Sequence, residues 1–161
     1  MIAVLRLLHI VLGGFWAGGT MLLGWLAIPV AREIGPAAGP FMQGLLRRRL
    51  STIMPLAGVL TVAAGIWLWF LRPPVFETWR GYSLAIGALS AIVGLTIGIV
   101  FQRPTAHRMQ VLGQTIAGGN APPTPEQGSE MGRLQVRMAS YGNILAYLLA
   151  LALAGMALGG A

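Results

Sequence analysis

Residues 80–103 read RGYSLAIGALSAIVGLTIGIVFQR. Two arginines bracket residues 81–102, and nothing between them is charged. About 20 apolar residues let an α-helix cross the hydrocarbon core of a bilayer. In lipid only helices and closed barrels satisfy their own backbone, and a run this long and continuous is a helix. Arg80–Arg103 therefore predicts a membrane span.

The same pattern recurs along the chain. One apolar segment lies between Arg6 and Arg32, a second between Arg49 and Arg72, and a fourth follows Arg137. The spans predicted are about 5–31, 52–71, 82–102 and 139–159. The first is too long for a signal peptide and has no clear cleavage site, so it reads as a retained span. Short connections favour an all-α fold, an antiparallel four-helix transmembrane bundle.

Composition agrees with a lipid-facing surface. Of 161 residues, 56% are hydrophobic and 9% are charged, and the mean hydropathy is +0.74. Soluble domains carry about 25% charged residues. There is no cysteine, lysine or aspartate, and all eleven basic residues are arginine. Disulfides, thiolate metal sites and a Ser/His/Asp triad are thereby excluded. The net charge of +7 reads as topology rather than nucleic-acid binding, because the arginines sit at span ends. Arg32, Arg47, Arg48 and Arg49, and then Arg103, Arg108, Arg133 and Arg137, mark the cytoplasmic side. Both termini then lie outside, in a bacterial inner membrane.

Between spans, residues 104–117 read as a short amphipathic helix at the interface, and 118–125 (GGNAPPTP) as a loop. Thr124 suits an N-cap, with Pro125 at the first helical position and Glu126 in the first turn. Met42, Leu45, Arg48 and Ser51 recur as Met131, Leu134, Arg137 and Ser140, a weak sign of two related hairpins. Pro55 should kink the second span, with Ser51 and Thr52 hydroxyls placed to satisfy freed groups. Trp67, Trp69, Trp79 and Tyr82 form an aromatic belt at the outer end, and Trp25 sits at the inner end. Close packing is expected at Gly14 and Gly18, at Gly58, Thr61 and Gly65, at Gly94 and Gly98, and along Ala146, Ala150 and Ala154. The surplus of glycine on spans 1 and 3 also suits a homo-oligomer.

His9, Gly13, Trp16 and Thr20 share one face of the first span. An ionisable group inside a span is a functional candidate, although His9 also snorkels easily to the outer interface. As a ligand its imidazole suits haem b or copper. Met156 lies at a compatible depth for a second ligand, while His107 lies at the far end of the bundle. Asn143 needs a partner on another helix, with Thr20 and Thr96 in reach. The alternatives are an accessory membrane subunit, a small-molecule transporter or permease, and a haem-dependent membrane oxidoreductase.

LHIVLGGFWAGGTMLLGWLAIPVA resembles the first helix of small bacterial four-helix membrane families, among them the membrane domain of the copper-resistance D proteins. The shared features are Leu8, His9, Trp16, Gly18, Gly19 and Pro29. RRRLSTIMPLAGVLTVAAGIWLWF is similar to the second helix of the uncharacterised members, so the resemblance covers roughly residues 5–71. It implies a four-helix membrane fold and copper handling. The four-helix protoporphyrinogen oxidases are similar in size and in a first-helix histidine. Their activity depends on a lysine in a later helix, and this chain has none.

Overall fold

The computed structural model describes residues 2–47, 50–119 and 122–160, and the described residues contain helices and no strands. Helix α1 spans Ile2–Ile34. A 3-10 turn, Gly35–Ala38, leads to α2, Gly39–Arg47. Helix α3 is Leu50–Leu71, α4 is Trp79–Gly118 and α5 is Pro125–Gly160. All four long helices, α1, α3, α4 and α5, are apolar enough to cross a membrane.

Helix ends follow local chemistry. Gly35, at φ 72, terminates α1 in a conformation that a Cβ would strain. Thr78 caps α4, its hydroxyl accepting from the Gly81 N–H at 3.2 Å and donating to the Val75 carbonyl at 2.8 Å. At α5 the expected cap forms and goes further. Thr124 Oγ1 accepts from the Gln127 N–H at 3.3 Å, and Gln127 Oε1 accepts from the Thr124 N–H at 3.0 Å. This reciprocal pair is a capping box. Glu126, beside it and far from the apolar part of α5, has its carboxyl held below the usual range by its own backbone N–H and the Thr124 hydroxyl.

Two helices run on through prolines. In α1 the stretch Leu22–Ala27 is π-helical, and in α4 so is Gly98–Gln102. Two residues past the end of each stands a proline, Pro29 or Pro104, that lacks an N–H and crowds the preceding turn. The helix absorbs this with wider hydrogen bonds, Ile28 N–H to the Leu23 carbonyl and Arg103 N–H to the Gly98 carbonyl. Residues 104–117 are accordingly not a separate helix. They continue α4, and at 40 residues α4 is about 60 Å long. Its end packs against the start of α5, with Leu134 and Thr105 buried between them. This hairpin extends the pair well past one hydrocarbon thickness.

The helices pack as α1 on α3, α1 on α5 and α4 on α5, with far less between α3 and α4. Glycines locate the crossings. A Cβ on Gly155 would stand 2.6 Å from the Ser83 carbonyl oxygen and 2.8 Å from Gly87 Cα. One on Gly24 would stand 2.7 Å from the Gly142 carbonyl oxygen. Gly58 receives the indole of Trp16, and Gly19 the tip of Met54. Gly14 and Gly18, by contrast, meet nothing within 4 Å. On α1 the packing glycines are therefore Gly13, Gly19 and Gly24. On α5 the buried line is Gly142, Ala146, Leu149, Ala152 and Gly155, while Ala154 is exposed.

Hydroxyls in the apolar helices stay local. Thr20, Thr61, Ser83, Ser90 and Thr96 each donate to the carbonyl four residues back. Small-residue packing therefore holds these helices together with little help from interhelical hydroxyl bonds. Pro55 sits inside α3. The side chains of Leu45, Arg48 and Ser51 lie outside the described residues, and with them the Ser51 role and most of the proposed repeat. The Arg47–Arg49 side chains lie outside as well.

Candidate functional site

The structure distributes the sequence candidates over three places. His9 sits between α1 and α3. Its Nδ1 lies 2.8 Å from the Thr61 carbonyl oxygen. A carbonyl only accepts, so Nδ1 carries the proton and Nε2 keeps its lone pair in the neutral ring. Gly65 makes the approach possible, because a Cβ there would stand 2.8 Å from His9 Cε1. Binding the far nitrogen's proton to a carbonyl is how ligating histidines are usually oriented.

Met156 is elsewhere. Its backbone nitrogen would lie 3.2 Å from a Cβ on Gly87, which places it at the α4–α5 crossing. Asn143 is exposed, and both hydroxyls considered for it are committed to their own helices. No group of three His, Cys, Asp or Glu able to hold a metal occurs among the described residues.

Trp16 and Thr20 belong to a third place. Trp16 is 5% exposed and packs with Ala17, Ala57 and Leu149. Both residues line a half-open cleft of about 170 Å³ to which all four long helices contribute. Its walls include Gly24 and Ile28 from α1, Met54 and Pro55 from α3, Gly98 and Ile99 from α4, and Met138 and Leu145 from α5. Both π-helical stretches and the α3 proline thus meet at one cavity. Gln102, Arg103, His107 and Gln110 line its α4 side, and Arg103, His107 and Gln110 are exposed.

The sequence singles out Trp16 and Thr20 for other roles, beside a cofactor at His9 and as a partner for Asn143, and does not point to Arg103 and His107 as cavity residues. His107 was set aside as lying past the third span. The available signal was the trio Pro29, Pro55 and Pro104, all near the arginine-rich end of their helices. Comparison with family models, characterised proteins and solved structures finds no match for this chain. What stands is an all-helical protein with four helices long and apolar enough to cross a membrane.

Proposed function

We propose that the chain is an antiparallel four-helix transmembrane bundle of a bacterial inner membrane, and that it binds a small molecule between its helices. The binding role is carried by the convergence of two π-helical stretches and Pro55 on one cavity. Regular α-helix is the lower-energy default, and π stretches concentrate at functional sites. The role is that of a binding protein or a permease-like one. The orientation, with both termini outside, rests on the arginines of the 32–49 and 103–137 regions. We further assign the outward Gly14–Gly18 face of α1 as the surface for a second copy, because those glycines are exposed and meet nothing within the bundle.

Native mass spectrometry of protein extracted with its own lipids tests the binding role. The expected result is a stoichiometric small molecule that is lost in Ala106→Trp, since Ala106 lines the cavity and an indole there fills it. A ligand-free native protein, or a ligand retained in the filled variant, overturns the reading.

One observation favours a second reading, haem b or copper at His9: the ring is held through Nδ1 at the Thr61 carbonyl, which leaves Nε2 as the nitrogen open to a ligand. The described residues offer a single imidazole there, so the site would be five-coordinate or completed by a second copy. A visible spectrum and metal analysis of the same preparation test it. An absorption band or metal that disappears in His9→Ala supports it; a colourless, metal-free protein removes it.

A further inference from the structure

The cavity has two chemically different ends. Its depth is apolar, with Trp16, Met54 and Leu145. Its mouth carries Arg103 and His107, four residues apart and so one turn apart on α4. No acidic side chain lines it among the described residues. Leu50, from α3, also lines it.

Depth fits this division. Arg103 follows Trp79, the first residue of α4, by 24 positions, about 36 Å along the helix. The hydrocarbon core is about 30 Å thick. With Trp79 at one interface, Arg103 lies at headgroup level on the other. Arginine stays charged under all ordinary conditions and presents paired donors that match a carboxylate or a phosphate. The histidine adds a donor beside it. Below them, the apolar walls leave about 170 Å³, room by volume for an apolar body about the size of benzene.

We propose that the cavity takes an anionic amphiphile from the arginine-rich face of the membrane. Its carboxylate or phosphate sits at Arg103 and His107, and its slender apolar body reaches Trp16. A cation is repelled by the mouth, and a neutral amphiphile gains only the packing. This rests on the ligand-binding reading above.

Trp16 is the one tryptophan in the wall, so it reports occupancy. Protein labelled with 5-fluorotryptophan in phosphatidylcholine nanodiscs is titrated with hexanoate, hexyl phosphate and hexanol, and the ¹⁹F resonance absent from Trp16→Phe is followed. Both acids should shift it saturably. The double variant Arg103→Gln, His107→Gln should weaken the acids at least tenfold and leave hexanol unchanged. Both side chains are largely exposed, so this variant should keep its thermal stability, which is checked alongside. Tighter hexyl phosphate than hexanoate assigns a phosphate head, and the reverse assigns a carboxylate. Hexanol binding as tightly as the acids, or acids indifferent to the double variant, overturns the anion proposal while the cavity stays a ligand site. If no probe moves the resonance, the ligand-binding reading falls too.

Discussion

Gly155→Leu should prevent the bundle from forming. At this crossing a Cβ meets only backbone: the Ser83 carbonyl oxygen at 2.6 Å, Gly87 Cα at 2.8 Å and Gly87 N at 2.9 Å. No rotamer relieves such a clash, so α4 and α5 must move apart. Restoring ordinary contact for one methyl needs a shift of several tenths of an ångström. A gap of about 0.5–1 Å already forfeits a quarter to a half of each dispersion contact along the seam. The pair carries no hydroxyl bonds to compensate, since Ser83 and Ser90 bond within α4. Gly155→Ala should then cost about 1–3 kcal/mol, the usual range for overpacking. Leucine needs several times the room. Equilibrium unfolding in bicelles, with size exclusion for the leucine variant, measures both. The internal comparison is Gly14→Leu with Gly18→Leu, which should leave stability unchanged and abolish any homo-oligomer built on that face. Gly155→Leu folding with native stability would show that α4 and α5 do not meet as described.

The contrast between these glycines shows what a sequence can and cannot specify. Charge and hydropathy act on whole segments, so the three arginine-bracketed runs and the one after Arg137 were legible as four helices. The Thr124 cap was legible too, because it depends on neighbours in the chain. Which side of a helix faces a partner depends on the partner. Gly14 and Gly18 satisfy the four-residue small-residue spacing and Gly19 and Gly24, five apart, do not, yet only the latter meet Met54 and Gly142. The prolines mislead in a related way. Pro104 reads as a helix boundary because the α register forbids it, but the π register accommodates it, and nothing local in the sequence announces that choice. The site followed the same division. His9 stood out as an ionisable group in an apolar span. Arg103 looked like a topology marker and His107 like a histidine too far from His9 to share a metal, and only the folding of α4 past Pro104 puts them on one cleft.

Trp16→Ala should destabilise the bundle by about 2 kcal/mol, less than the same change costs in a water-soluble core, and added indole should restore the loss. In a soluble protein, Trp→Ala costs about 3–5 kcal/mol, part of it the transfer of the side chain from water and part the cavity left behind. With the helices inserted as proposed above, they would remain in lipid when separated, where the indole already has apolar surroundings, so most of the transfer part cancels. The cavity part remains. Deleting the indole opens on the order of 100 Å³, and at about 24 cal/mol per Å³ that is about 2 kcal/mol. The neighbours cannot close the hole, because Gly58 has no side chain to move in and Leu149 is 1% exposed and already packed. A hole with the shape of the lost ring takes back a free ring. At a hundredfold excess over its dissociation constant, a ligand adds about 2.7 kcal/mol of stability, enough to offset the whole loss. The measurement is the unfolding midpoint in bicelles with and without indole, with Phe15→Ala as the comparison. Phe15 is 48% exposed and does not line the cavity, so indole should stabilise Phe15→Ala no more than it stabilises the unsubstituted protein. Native stability in Trp16→Ala would mean that the indole is not packed between α1 and α3. A loss above about 4 kcal/mol would mean that the reference state of the separated helices leaves the ring in water, and would argue against membrane insertion at this depth.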